Sequence, residues 1–90
     1  DLAARYGGEE FIVLIPAADH ATATAFAERI RLACEARAIP HPASPVGSVV
    51  TISLGVASCI PSPQTSGSAM IADADAALYR AKQEGRNRVR

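Results

Sequence analysis

Two glycines followed by two glutamates form the stretch of this chain best suited to chemistry. Gly7-Gly8-Glu9-Glu10 stands between Arg5-Tyr6 and the apolar residues 11–15. Glycine permits the positive φ angles of a tight turn and lets a phosphate come close to the backbone. Carboxylate oxygens bind hard divalent cations, which neutralise phosphate oxygens. The stretch therefore indicates a cation and phosphate site, although an exposed hairpin with surface carboxylates explains the same pattern.

The two carboxylates are not equivalent. Adjacent side chains of a regular strand point to opposite faces, so only one of them needs to face a pocket unless the turn breaks the alternation. Glu9 is nearer the glycines, and it is the better candidate for the metal.

Lys82 and Arg86 are the cations that such a site needs, because a phosphate chain is held by several converging donors. They are four residues apart, and they share one side if the last helical turn extends past Gly85. The alternative is that basic residues here only complement the helix dipole, which is worth about 0.3–1 kcal/mol. Asp73 and Asp75 are interpreted as a solvated acidic face.

The elements that position these residues begin with a hairpin. Residues 3–6 pair with residues 10–15, which we interpret as a strand covered on both faces because residues 11–15 are all apolar. Asp19 is an N-cap candidate for a helix over residues 21–38, with Phe26, Ile30, Ala33 and Cys34 on one face.

A second strand and a second helix follow. Residues 49–57 are predicted to form a strand in which Gly55 marks close packing or a bulge. Ser68 is the predicted cap of a helix over residues 69–84, and Gly85 is the residue that follows its end. Ile71, Ala74, Leu78 and Ala81 form its predicted buried stripe.

Composition limits the class of protein. Ninety residues make one small domain, and zero formal net charge gives no reason to expect nucleic acid or an anionic membrane surface as a partner. No apolar run approaches the ~20 residues of a membrane span, so we expect no membrane contact by this segment. Cys34 and Cys59 are far apart. We interpret them as buried thiols in a reducing compartment and expect a cytoplasmic location.

Three motifs in order carry a resemblance to a known family. Arg5-Tyr6-Gly7-Gly8-Glu9-Glu10-Phe11 resembles the signature of GGDEF domains, the diguanylate cyclases of bacterial signalling. Residues 51–57 are similar to the family's V-T-[IV]-S-x-G-[VI]-A strand, and residues 72–87 to its closing A-D-x-A-L-Y-x-A-K-x-x-G-R-N. The resemblance implies that residues 1–90 are the C-terminal portion of a single GGDEF domain. The implied fold class is α/β (α+β): a palm-like, ferredoxin-like sheet flanked by helices, here in the order hairpin, helix, strand, helix.

The resemblance also implies a reaction. Two GTP molecules condense to cyclic di-GMP with release of pyrophosphate, each 3′-hydroxyl attacking the α-phosphate of the other nucleotide. Mg²⁺ or Mn²⁺ is the implied cofactor, and a homodimer with facing sites is the implied assembly. Glu9 matches the metal-binding and catalytic position, and Glu10 the next acidic, metal-linked position. Substrate-binding positions are matched by the glycines and the basic pair: Gly7, Gly8, Lys82 and Arg86.

Some parts of the family pattern are absent from these 90 residues. The family's early metal-binding Asp and its F-K-x-x-N-D segment, which reads guanine, have no counterpart. We therefore expect that the 90 residues alone make no product, whereas the parent domain does. The alternatives are a degenerate domain that senses GTP or cyclic di-GMP and, less favoured, a pure dimerisation domain.

Feedback inhibition is a further implication of the resemblance. Asp1 stands where the family's R-x-x-D motif has its Asp, and Arg29 resembles a secondary contact for the same inhibitor, cyclic di-GMP. The alternative for Arg29 is an exposed helical ion pair with Glu28 or its neighbours.

Overall fold

Within the part of the chain that the structure describes, the fold consists of a hairpin and two helices of equal length. The structure is a computed structural model that describes residues 2–7, 10–15, 18–41, 49–60, 62–64 and 66–90. Its elements are β1 (Leu2–Gly7), β2 (Glu10–Leu14), α1 (His20–Ala36) and α2 (Gly67–Gln83). This is the predicted α/β class. None of the helices described is long and apolar enough to cross a membrane.

The two strands form the predicted antiparallel hairpin. Its register runs from Leu2 opposite Leu14 to Gly7 opposite Glu10, with an irregularity between Arg5 and Gly7. Two steps along β1 there oppose one step along β2, as in a β-bulge. The backbone pairing is thus irregular next to Glu10, the first residue of β2.

The prediction that residues 10–15 are covered on both faces is wrong. Phe11 is 70% exposed, and Val13 and Leu14 are 42% and 48% exposed. Within the described ranges the sheet has two strands, β1 and β2. A two-stranded hairpin cannot bury both faces of an apolar strand.

Helix α1 begins as predicted, at an aspartate cap. The Thr22 N–H donates to Asp19 Oδ1 at 2.7 Å, and Asp19 has the extended backbone of an N-cap. The helix ends at Ala36, two residues before the predicted end, and Ala38 has a positive φ of 52°. Ala27 is buried and Ile30 is half-buried on the packed face. Ala33, predicted on that face, is exposed.

The predicted strand over residues 49–57 is instead an extended segment that is half-buried throughout. Leu54 N–H donates to Arg88 O at 3.0 Å, and Arg90 N–H donates to Leu54 O at 3.0 Å. These bonds form an isolated parallel bridge between Leu54 and Val89. At its start, Val49 forms an isolated antiparallel bridge with Pro40. In the described part the segment therefore makes isolated bridges at its two pairing points rather than the continuous ladder of a strand.

Helix α2 packs closely on this segment at Gly55. A Cβ atom at Gly55 would lie 2.1 Å from the Ala74 carbonyl oxygen and 2.3 Å from the Leu78 nitrogen. The predicted close packing at Gly55 is therefore confirmed. Small residues also line the helix, since Ala77 and Ala81 are 2% and 0% exposed.

The two ends of α2 are fixed by hydrogen bonds between residues close in the sequence. Its cap is Ser66 rather than the predicted Ser68: the Ala69 N–H donates to Ser66 Oγ at 3.2 Å. At the other end Gly85 has φ 122°, and the Arg86 N–H donates back to Ala81 O at 2.9 Å. This is the glycine-terminated Schellman arrangement, and it confirms Gly85 as the residue after the helix.

The two cysteines differ in their surroundings. Both are free; Cys34 is half-buried and Cys59 is exposed. The prediction of a buried thiol is confirmed only in part for Cys34, which is half-buried. It is wrong for Cys59, which lies on the surface with its Sγ 3.5 Å from Met70 Sδ.

Candidate functional site

The acidic end of the hairpin and the cationic end of α2 meet. Lys82 Nζ lies 3.8 Å from Glu10 Oε2. Glu10 is the first residue of β2 and Lys82 belongs to the last turn of α2. The side chains are 42% and 36% exposed respectively, and exposed ion pairs contribute about 0–1 kcal/mol to stability. The ion pair therefore adds little to folding stability, and stability alone does not explain why Glu10 and Lys82 lie together.

A cleft of about 230 Å³ lies beside the ion pair. Its lining consists of Glu10 from the hairpin and four residues of α2: Asp75, Leu78, Tyr79 and Lys82. The helix residues are spaced at i, i+3, i+4 and i+7, so they share one face. Pockets that enclose a drug-sized ligand measure about 300–1,000 Å³. This cleft is of a size for the phosphate end of a nucleotide rather than for a whole one.

Asp75 and Tyr79 line the cleft, although neither was predicted from the sequence as a site residue. Asp75 was assigned to a solvated acidic face, and it is indeed exposed, but it lines the cleft with Glu10 and Lys82. The signal was present in the sequence, because Asp75 is seven residues before Lys82 and Tyr79 is three residues before it. Both positions lie on the Lys82 face of a helix.

The donors of the cleft suit a hard cation together with an anion. Glu10 and Asp75 offer carboxylate oxygens, and Lys82 offers an ammonium group. Mg²⁺ is usually held by one or two carboxylates plus phosphate oxygens and water, so these groups fit it without a complete protein cage. The described residues, which do not include Glu9, contain no group of three or more His, Cys, Asp or Glu side chains arranged as a metal site.

Arg86 reaches this end of α2 by a different route from the predicted one. The helix ends at Gln83, so the last turn does not extend past Gly85, and Arg86 has φ 61°. The condition for a shared helical face of Lys82 and Arg86, a last turn that extends past Gly85, is therefore not met. Gly85 terminates the helix, and the bond from the Arg86 N–H to Ala81 O folds the chain back against the turn that carries Lys82. Arg86 is exposed there.

The remaining predicted site residues divide into two groups. Gly7 is described, and its backbone pairs with Glu10 at the end of the hairpin. Asp1, Gly8 and Glu9 lie outside the described residues, and their roles stay predictions.

Arg29 lies on the exposed surface of α1. Its guanidinium carbon is 5.3 Å from the centroid of the Phe26 ring, a cation–π contact. Glu28 pairs with Arg31, which donates to both of its carboxylate oxygens. Those hydrogen bonds lower the pKa of Glu28 and raise that of Arg31. The Arg29 guanidinium thus contacts an aromatic ring, whereas the carboxylate of Glu28 is hydrogen-bonded to Arg31.

The sequence of this chain is similar to that of known proteins. The family model "Diguanylate cyclase, GGDEF domain" matches residues 1–88. Diguanylate cyclase A of Treponema denticola is 46% identical over 89 residues, which cover 99% of this chain and 23% of that protein. Diguanylate cyclase DgcP of Pseudomonas aeruginosa is 38% identical over 89 residues, 99% of this chain and 13% of that protein.

A third relative is the response regulator PleD of Caulobacter vibrioides, 40% identical over 91 residues, which cover 99% of this chain and 19% of that protein. The chain thus spans less than a quarter of the length of each of these three relatives. Because the family model matches nearly every residue, this chain belongs to the GGDEF family of diguanylate cyclase domains.

Proposed function

We propose that this chain supplies the metal- and phosphate-binding part of a diguanylate cyclase site. The domain to which it belongs would condense two GTP molecules into cyclic di-GMP and release pyrophosphate. The observation that carries the proposal is the 3.8 Å approach of Glu10 and Lys82 beside a phosphate-sized cleft. That pair brings together the signature and the closing motif, which are about seventy residues apart in the sequence.

Each residue in the proposal has a separate role. Lys82 and Arg86 hold the triphosphate with charged donors, and the backbone at Gly7 and Gly8 lets the nucleotide approach. Glu9 is assigned to metal binding and catalysis, and Glu10 to metal binding. Mg²⁺ or Mn²⁺, when bound, supplies charge neutralisation at the phosphates and activation of the 3′-hydroxyl.

The proposal extends to the assembly and to the rest of the domain. Each domain holds one GTP, so product formation needs a two-fold homodimer in which the sites face each other. The proposed architecture is the palm-like sheet of the family, with residues 1–90 as its C-terminal portion. We expect the isolated 90 residues to make no cyclic di-GMP, because they lack the family's guanine-reading segment and opposing metal ligand.

A turnover assay tests the function. The natural protein that carries this chain is incubated with GTP and Mg²⁺, and cyclic di-GMP and pyrophosphate are separated and quantified. Glu9→Gln should abolish product, whereas Asp73→Asn, a matched change outside the Glu10–Lys82 cleft, should leave the rate unchanged. Full turnover by Glu9→Gln contradicts the assignment of Glu9. Binding of GTP without turnover by the unaltered protein would indicate the sensing module instead.

Product control is part of the same proposal. Asp1 and Arg29 are proposed to contact cyclic di-GMP at an inhibitory site, and the support is that Arg29 presents an exposed guanidinium on α1. Arg29→Ala should raise the cyclic di-GMP concentration needed for half-inhibition. Unchanged inhibition would remove Arg29 from the site.

A further inference from the structure

The turn after α2 has an unusual backbone. Gly85, Arg86 and Asn87 have positive φ angles of 122°, 61° and 46°. Glycine adopts this region freely and asparagine tolerates it, but arginine rarely does. Such positions persist where the surrounding structure over-determines them, and they are frequent at functional sites. Contacts from surrounding residues therefore fix this turn.

Asn87 supplies those contacts. Arg31 Nη1 donates to Asn87 Oδ1 at 3.0 Å, while Asn87 Nδ2 donates to Glu35 Oε2 at 2.7 Å. The Asn87 backbone N–H donates to Ser53 Oγ at 3.1 Å. Arg31 Nη1 also approaches the Asn87 carbonyl oxygen at 3.4 Å. Both ends of the side-chain amide and both backbone polar groups of one residue are thus engaged.

The groups that hold Asn87 are themselves fixed. The Arg31 side chain is only 16% exposed and lies between two carboxylates of its own helix. Its Nε–H is shared between the two carboxylate oxygens of Glu28, each 3.0 Å from Nε, and its Nη2 also donates to Glu28 Oε1. Its Nη1 lies 3.9 Å from Glu35 Oε1. A guanidinium with this bidentate partner is a rigid donor. The Asn87 amide fits because it accepts from the arginine at one end and donates to the glutamate at the other.

From this geometry we propose that Asn87 is a positioning residue for Arg86. The inference rests on the proposed function, since it takes Arg86 as a phosphate contact. Asn87 fixes the turn from α1 and from Ser53, and the Arg86 N–H bond to Ala81 fixes it from α2. Arg86 is held between these two anchors, next to the helical turn of Lys82. The bonds of Asn87 to Arg31, Glu35 and Ser53 form a clamp. This clamp sets the direction from which Arg86, the second cation, approaches the triphosphate.

The experiment is a double-mutant cycle on GTP affinity. Calorimetric titration with Mg²⁺ and GTP compares the natural protein that carries this chain with Arg86→Ala, Asn87→Gly and the double variant. Glycine tolerates the positive φ but lacks the side-chain amide, so the bonds to Arg31 and Glu35 are lost while the backbone bond to Ser53 remains. Each single change should weaken GTP binding about 10-fold, and the double variant should be within about 2-fold of either one. Independent effects, about 100-fold together, would overturn the proposal.

Two further variants keep the outcome decisive. Lys82→Ala reports on the proposed function: if neither it nor Arg86→Ala weakens GTP binding, the phosphate site itself is refuted. If both weaken it but the cycle with Asn87→Gly is additive, only the positioning role is refuted. Ser53→Ala removes one acceptor of the clamp and takes the place of Asn87→Gly if that variant does not fold. Its effect should also vanish in the Arg86→Ala background, and persistence there would overturn the proposal.

Discussion

Adding one methyl group at Gly55 should be sufficient to separate α2 from the extended segment. The new Cβ of Gly55→Ala would lie 2.1 Å from the Ala74 oxygen, whereas Cβ atoms essentially never approach within 3.0 Å of other atoms. The nitrogen and Cα of Leu78, at 2.3 and 2.9 Å, are also inside that limit. All three obstacles are backbone atoms, which cannot rotate away as a side chain does. Helix α2 must therefore move away from residue 55 to relieve these contacts.

The expected cost is about 1–3 kcal/mol or more, the usual range for overpacking. Gly55 has no positive φ, so alanine there carries no backbone strain. At an open site glycine-to-alanine changes stabilise by about 0.4–1 kcal/mol through the unfolded chain. The close approach of Gly55 to α2 therefore determines whether Gly55→Ala raises or lowers the free energy of unfolding. For a domain of this size, each kcal/mol corresponds to a shift of about 4–8 °C in Tm.

Thermal unfolding followed by circular dichroism measures this effect, with Gly67→Ala as the matched control. Gly67 is the first residue of α2, and a Cβ atom there has nothing within 4 Å. Gly55→Ala should lower Tm by about 10 °C, and Gly67→Ala should keep it or raise it slightly. A Tm for Gly55→Ala equal to or above that of the unaltered chain would refute the described packing of α2.

Three other perturbations address the site and the helix ends. Lys82→Gln should weaken GTP binding about 10-fold by calorimetry, and the exposed Arg80→Gln on the same helix should not; equal losses would contradict a local role for Lys82. The pKa of Asp19 is lowered from 3.8 by the hydrogen bonds from Thr22, so its stabilisation is present above pH 3.8 and is lost as the pH falls through the lower folded value. Asp19→Asn keeps a cap but should flatten that acid dependence in pH-dependent unfolding, and an unchanged acid limb would refute the assignment. Gly85→Ala should lower the free energy of unfolding by about 1 kcal/mol because of the 122° φ, and a urea midpoint unchanged from that of the parent would count against it.

Features that depend on a few neighbouring residues were predictable from the sequence. The glycine pair places the hairpin, Asp19 caps α1, and Gly85 ends α2, because each needs only a local hydrogen bond or a positive φ. Gly55 was identified as a point of close packing for a similar reason. Ser66 and Ser68 illustrate the limit of such reasoning: both are serines suited to capping, and local sequence does not decide between them.

Features that depend on distant partners were not predictable. Residues 49–57 have the composition of a strand, but strand formation needs a neighbour of matching length, and Val89 offers a single bridge. The end of α2 at Gly85 already places Arg86 outside the helix, but the bonds that fix the following turn come to Asn87 from Arg31, Glu35 and Ser53, which are distant in the sequence. The helical face that Asp75 shares with Lys82 can be derived from their spacing, but the cleft on that face depends on where the hairpin lies against α2.

The central claim is that the hairpin end and the end of α2 bind one phosphate chain together. The most direct measurement is a titration of the ¹⁵N-labelled chain with Mg²⁺ and GTP, followed through the amide resonances of Glu10 and Lys82, because weak binding is still visible there. Both resonances should shift along one binding curve with the same midpoint, while Leu32 on the exposed side of α1 stays in place. If only one of the two resonances shifts, or if they shift with different midpoints, the end of the hairpin and the end of α2 do not form a single site.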